Sequence, residues 1–272
     1  MELSLDMPQQ QAPAMKRRRT DSEALTPPVT ADDPEGASLL SRAVHVLSTA
    51  ATALSQVTIL YQSDPTAREG IVQAVECISS VKEAGGKLLI CGVGKSGLVG
   101  RKTVASMKSM GIPCTFLHPT EALHGDLGDI RPNDAVMFIS YSGKTSELMA
   151  VLDHLPSSTP VLAITSQTKP TDCPLLRGRS EGILLPAPIP ELEEVSFGVC
   201  APTTSTTVAI AVGDMLMLTL AHALHADDTK KIFKMNHPGG AIGENAKRKA
   251  AESDTDEVTK CTKKHAGLMS PV

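Results

Sequence analysis

The chain has 272 residues, 41% of them hydrophobic and 21% charged, which is enough apolar material for a packed core and excludes wholesale disorder. Lys+Arg number 26 against 30 Asp+Glu, a net charge of -4, so a global basic field for nucleic acid is absent. Aromatic residues make up only 2%, with no Trp, which argues against base stacking or an aromatic sugar groove. A small anion held by backbone amides and hydroxyls remains open.

Residues 1 to about 35 are poor in apolar side chains and rich in Pro, Gln and charge, and read as a disordered tail. Within it Lys16, Arg17, Arg18 and Arg19 read as a solvated basic stretch, with a nuclear-localisation patch as the alternative. Glu2 and Asp6 with no apolar run behind them do not make a signal peptide. From Ser38 the pattern changes: Leu39, Leu40, Ala43, Val44, Leu47, Ala51, Leu54 and Val57 recur at helical spacing. A second helix follows Asp64-Pro65, with Ile71, Val75, Ile78 and Val81 on one face and Gly85-Gly86 as its stop.

The rhythm then becomes strand, loop, helix. Apolar runs predict strands over 87–91, 113–117, 135–140, 160–165 and 182–185. Helices are predicted after the first strand through Met110, over 146–155, and from about 203 to 225. The stretch 208–224 is broken by Gly213, Asp214 and His222 and reads as a buried helix, not a membrane span. Strands alternating with helices predict a parallel α/β sheet with helices on both faces, whose ligands sit at the carboxyl ends of the strands. The six cysteines include no C-x-x-C pair and read as reduced core thiols of a cytoplasmic protein. From Lys247 to the end the chain reads as a charged tail.

The loops after the strands carry the chemistry. Gly92-Val93-Gly94-Lys95-Ser96-Gly97 follows a strand and opens a helix. A P-loop would need a glycine at Leu89, and a dinucleotide site would need an acid where the next strand ends in Phe116-Leu117-His118. What survives is close backbone approach and a helix N-terminus that favours an anion. Ser140, Ser142 and Thr145 surround Gly143 at another helix start, a neutral nest for a phosphate. The cluster from Thr203 to Thr207, with Ser205 inside it, either caps the long helix or faces a ligand. His118, Glu121, His124 and Asp126 lie close together without metal-ligand spacing, and His237 stands in a Pro-Gly-Gly loop.

The stretches GVGKSGLVGRK, FLHPTEALHGDLGDI, ISYSGKTSEL, APTTSTTVAIAVGD and HPGGAIG resemble the SIS (sugar isomerase) domain of the KpsF/GutQ group of arabinose 5-phosphate isomerases. The resemblance covers roughly 38–243 and implies a three-layer α/β/α sandwich on a five-stranded parallel sheet, flavodoxin-like. It implies reversible aldose–ketose isomerisation of a sugar phosphate, with no metal or nucleotide cofactor. It implies catalytic roles for Lys95, Glu147, Glu194 and His237, with Glu191 and Glu193 as alternates to Glu194. Gly94, Ser96, His124, Ser140, Ser142, Thr145, Thr203 and Ser205 would bind substrate. Bacterial members usually carry two CBS modules after this domain, and 267–271 looks like the start of one. Relatives use helices like the one from Ser38 between subunits, which implies a homotetramer. The expectation is a disordered tail over 1–35, an isomerase domain over 36–246 and a charged tail over 247–272, with no nucleic-acid or membrane partner. A non-catalytic sugar-phosphate sensor is the alternative.

Overall fold

The structure, a computed structural model, describes residues 30–239. The basic patch at 16–19, nearly all of the 1–35 tail, the end of the 36–246 domain and the 247–272 tail lie outside those residues. Of the described residues, 30–45 belong to a unit of their own. In it the Thr30 N–H donates to Asp33 Oδ2 at 2.9 Å, and helix α1 (Pro34–Ser63) then begins. Pro34 and Glu35, assigned to the tail from sequence, are instead the first turn of this helix, where a proline and an acid both suit the exposed N–H groups.

The remainder is built on one sheet. Helix α2 (Pro65–Glu83) starts where Asp64 Oδ1 accepts from the Ala67 N–H at 2.9 Å. Strands β1 (Leu88–Gly92), β2 (Cys114–Leu117), β3 (Ala135–Ile139), β4 (Val161–Thr165) and β5 (Ile183–Pro186) pair in the order β2-β1-β3-β4-β5, every pair parallel. Each matches a predicted strand to within a residue or so at its ends. Helices α3 (Gly94–Ser109), α4 (Pro119–Leu123), α5 (Ser146–His154), α6 (Glu193–Phe197), α7 (Thr204–His225) and α8 (Thr229–Met235) fill the connections. The short helices α4, α6 and α8 are additions to the sequence-based scheme.

Alternate strand residues feed two cores, as a strand's two-residue period requires. Leu88, Ile90, Met137, Ile139, Leu162 and Ile164 pack under α2, α3 and α7. Leu89, Cys91, Val136, Phe138 and Ala163 pack under α4 and α5. Three layers result, and strands covered on both faces read as unbroken apolar runs. The helical runs Pro34–Ser63 and Thr204–Met235 are both long and apolar enough to cross a membrane by length and composition. In the second, Val208, Val212, Leu216 and Leu220 are buried on the sheet, so α7 is a core helix. On α1, by contrast, Val46, Leu47 and Ile59 stay exposed.

At the amino edge of the sheet, buried Asp134 accepts from the Lys87 N–H at 2.8 Å, the Lys87 ammonium at 2.7 Å and the Arg131 N–H at 2.9 Å. Burial pushes the Asp134 carboxyl up, but the Lys87 ammonium and the backbone donors outweigh it and hold the group below the usual carboxylate value.

Candidate functional site

Strand order reverses at β1, whose chain continues to β2 on one side while β3 lies on the other. The crevice of such a sheet opens where the loops after β1 and β3 diverge. A cavity of about 390 Å³ lies there, floored by Ile139, Ile164 and Ala187 and walled by the loops after β1, β3, β4 and β5. Lys95, Ser96, Glu194 and Ser205, all picked out from the sequence, line it. Tyr141, Ser166, Glu193, Cys200 and Thr206 line it as well.

Lys95 and Ser96 reach the cavity because α3 starts immediately above β1. Gly94 has φ +57, a conformation that L side chains rarely adopt. A Cβ on Gly97 would come within 2.8 Å of the Gly92 carbonyl oxygen, so only glycine lets this turn sit so close to the strand. Lys95 is exposed and, among the described residues, has no carboxylate partner within 4.0 Å. Its ammonium is therefore available to an anion.

The loop after β3 is braced from within. Ser140 is 2% exposed; its hydroxyl oxygen accepts from the Gly143 N–H at 3.1 Å and shares a hydrogen with Thr145 Oγ1 at 2.8 Å. The hydroxyls of Ser140 and Thr145, expected to hold phosphate, thus hold the loop to itself. Ser142 is exposed, and its hydroxyl oxygen accepts from the Lys144 N–H at 3.2 Å. With the first-turn amides of α5, it is the part of this loop open to a ligand. The Tyr141 carbonyl ties the loop to β4 by accepting from Thr165 Oγ1 at 3.0 Å and from Ser166 through both its N–H at 2.9 Å and its hydroxyl at 2.7 Å. Burial, then the negative charge of Glu193, push the Tyr141 phenol up, so it stays a neutral donor.

On the opposite wall, the Thr203–Thr207 cluster turns out to be mostly structural. One oxygen of Glu193 accepts from the N–H groups of Thr203 at 2.6 Å and Ser205 at 3.0 Å, and from the Ser205 hydroxyl at 2.9 Å. Thr206 and Thr207 return their hydroxyls to the Thr203 carbonyl at 2.9 and 3.0 Å. Glu194 accepts from the Cys200 thiol at 3.3 Å, and that bond, with the charge of Glu194, pushes the thiol up.

Eight of the twelve expected residues do not line this cavity: Gly94, Ser140, Ser142, Thr145 and Thr203 belong to the loops and helix starts around it, and Glu147, His124 and His237 are the other three. Glu147 is exposed in the first turn of α5; its own N–H and then the Ser146 hydroxyl hold its carboxyl below the usual value. His124 ends α4 and is exposed. His237 stacks on Phe233 with ring centroids 4.1 Å apart, and its Nε2 lies 3.3 Å from Ser109 Oγ at the far end of α3. Fourteen residues of helix separate Lys95 from Ser109, about 21 Å at the α-helical rise. A single chain therefore does not bring His237 to Glu194. Among the residues that sequence reasoning left unassigned, Ser166 directly follows β4 and Tyr141 sits between two assigned serines, so the rule of strand carboxyl ends points to both.

The profile of the SIS domain family matches residues 81–219. An arabinose 5-phosphate isomerase KdsD from Francisella tularensis is 32% identical over 233 residues, covering 81% of this chain and 68% of that one. The KdsD of Yersinia pestis is 38% identical over 184 residues, covering 65% of this chain and 54% of that one. The chain spans 57%, 61% and 58% of the length of the first curated relatives it matches, from Helicobacter pylori, Haemophilus influenzae and Rickettsia prowazekii. A solved Escherichia coli CFT073 protein in complex with arabinose 5-phosphate is similar at 28% identity and a TM-score of 0.61, covering 74% of this chain and 98% of that one.

Proposed function

The chain belongs to the SIS domain family, and we propose that it is an aldose–ketose isomerase acting on a sugar phosphate, of the arabinose 5-phosphate/ribulose 5-phosphate type. The observation that carries this reading is the cavity itself, which Lys95 and Glu194 line together with an apolar floor of Ile139, Ile164 and Ala187. The KdsD relatives and the sugar-phosphate complex of the solved relative support the choice of substrate.

In this reading the phosphate binds at Ser96 and the helix start of α3, together with Ser142 and the amides opening α5. With the sugar open, Glu194 takes the C2 proton of the aldose. The C–H electron pair forms the C1–C2 double bond, and the carbonyl oxygen gains a proton. Return of a proton to C1 and loss of one from the C2 hydroxyl give the ketose. The charge of Lys95 opposes the negative charge that develops on the enediolate oxygens. A positioned carboxylate contributes roughly 10²–10⁴-fold to such a transfer.

His237 belongs to this machinery only if a second copy of the chain completes the site, whereas Glu147 stands in the first turn of α5, whose amides would hold the phosphate. The reading accordingly includes a cytoplasmic homo-oligomer, a tetramer, without nucleic-acid or membrane partners, in which exposed Val46, Leu47 and Ile59 of α1 meet another subunit. A monomer in light scattering at micromolar concentration would refute that part. The separation of His237 from the cavity also favours a second reading, a sugar-phosphate sensor without catalysis. Incubation with arabinose 5-phosphate in D₂O separates the two. Deuterium at C1 or C2 and conversion to ribulose 5-phosphate are expected, whereas tight binding without exchange would establish the sensor.

A further inference from the structure

The α6 segment is an unusual carrier for a reactive carboxylate. No residue of α6 is buried, and Leu192, Val195 and Val199 around it are 57%, 68% and 56% exposed. Hydrophobic burial therefore does little to fix it. Two of its hydrogen bonds stay within the segment: Ser196 donates to Glu191, and Cys200 donates to Glu194.

Glu193 is different. One carboxylate oxygen collects the Thr203 N–H, the Ser205 N–H and the Ser205 hydroxyl, with the Thr203 hydroxyl at a longer 3.4 Å. These donors sit at the start of α7, a 22-residue helix whose inner face is buried on the sheet. Thr203 makes no side-chain cap of its own there, so the carboxylate supplies what the helix lacks. A negative group at this end also meets the positive pole of the helix. The side chain thus joins a surface segment to the rigid body of the sandwich, and the residue it precedes is Glu194.

We infer that Glu193 is a positioning residue, whose carboxylate latches α6 onto the N-terminus of α7 and so holds the neighbouring Glu194 carboxylate at the cavity. The inference rests on the reading of Glu194 as the base, but the latch has a signature that needs no turnover. Cys200 lies in the same connection and is exposed. Its thiol is pushed up by Glu194, through the hydrogen bond first and the charge second, and to a lesser degree by the charge of Glu193 itself. A segment released from α7 no longer holds the pair in one geometry, which leaves a more ionised, more reactive thiol; Glu193→Gln, which loses the same charge as Glu193→Ala but keeps an acceptor, separates this effect from the direct loss of the Glu193 charge.

The test compares wild type with Glu193→Ala, Glu193→Gln and Glu193→Asp, using iodoacetamide at pH 8 and peptide mapping to follow Cys200 alone. Glu193→Ala is expected to speed alkylation at least threefold. In the isomerase assay the same variant should lower kcat 10-fold or more while KM for the sugar phosphate stays within about twofold. Glu193→Gln keeps an acceptor oxygen and should recover most of the wild-type behaviour in both assays. If Glu193→Ala does not fold, Glu193→Asp, whose shorter side chain cannot reach all the donors, should show the faster alkylation. Unchanged Cys200 alkylation in the folded variants would overturn the latch, as would a fall in melting temperature with kcat intact. If wild type proves inactive, the isomerase reading falls while the alkylation assay still decides the latch.

Discussion

Gly143 offers the sharpest test of the loop after β3. Its φ is +65, and a Cβ there would lie 3.2 Å from Thr165 Oγ1 and 3.3 Å from Cys173 Sγ. Gly178, at φ +74, has nothing within 4 Å of the same position and lies away from the cavity. Alanine in the left-handed region costs roughly 1–2 kcal/mol at either site. At roughly 2–4 °C per kcal/mol for a domain of this size, Gly178→Ala should lower Tm by about 2–8 °C. Gly143→Ala carries that strain and also crowds Thr165, whose hydroxyl donates to the Tyr141 carbonyl and anchors the loop. A displaced loop misplaces the hydrogen bonds offered to the phosphate, each worth about 1.5–3 kcal/mol when charge-assisted. Loss of one would weaken binding by about 10–100-fold, since 1.4 kcal/mol is tenfold. Calorimetric Kd values for arabinose 5-phosphate, read beside the two melting temperatures, check the argument. Gly143→Ala should bind at least tenfold more weakly and Gly178→Ala like wild type. Equal Kd values in the two variants would refute a phosphate role for this loop.

Ser140→Ala removes the buried partner of both the Gly143 N–H and Thr145 Oγ1, and should cost about 1–3 kcal/mol in thermal unfolding. Ser142→Ala should instead weaken sugar-phosphate binding and leave Tm within about a degree, because its hydroxyl is exposed. Glu194→Gln should abolish deuterium exchange at C1 and C2 while binding stays within a few-fold; retained exchange would move the base to Glu147 or Glu191. Asp134→Asn should cost about 1.5–3 kcal/mol at pH 7, as expected for hydrogen bonds to a charged group. The folded carboxyl titrates below its unfolded value, so its contribution is full above the unfolded pKa and is lost as pH falls through the lower folded one. The difference in Tm between wild type and Asp134→Asn should therefore hold from pH 5 to 7 and shrink below pH 4.

Strands were the easiest elements to read because burial on both faces leaves unbroken apolar runs such as Ala135–Ile139. Helix α1 was equally plain from its spacing, and α7 from its long apolar run. The short helices α4, α6 and α8 escaped because helices of 5 to 7 residues carry too little periodicity to stand out. At the site, the loop pattern pointed to the stretches that hold Lys95, Ser96 and Ser205, each just beyond a strand or at a helix start, whereas Glu194 came from the family resemblance. It could not tell a hydroxyl that faces a ligand from one that braces a loop. Ser140 and Ser142 are two residues apart, yet one is buried in the brace and the other is exposed. Nor could it see that Glu193, next to the expected base, is the group that meets α7. These distinctions arise from contacts between residues as distant in sequence as Tyr141 and Ser166, which no local pattern encodes.

His237 poses the remaining question, and mixing two defective chains answers it. Lys95 opens α3, whereas His237 rests beside Ser109 at the other end of the same helix. Its Nδ1 is 2.8 Å from the Phe233 carbonyl, so the ring is held where it is by its own short helix. If His237 serves catalysis, the site it serves belongs to a neighbouring copy. Lys95→Ala and His237→Asn should each be nearly inactive alone. In a randomly exchanged 1:1 oligomer, an intact site needs a His237→Asn chain, which still has Lys95, beside a Lys95→Ala chain, which still has His237. Each choice has even odds, so about a quarter of the sites are intact and about a quarter of wild-type activity should return. The mixture must be unfolded and refolded together, so that subunits exchange, and compared with the two variants refolded apart and then combined. Recovery only in the co-refolded sample establishes a shared site. No recovery would mean that both residues must come from one chain, or, if His237→Asn alone keeps full activity, that the histidine has no part in the chemistry.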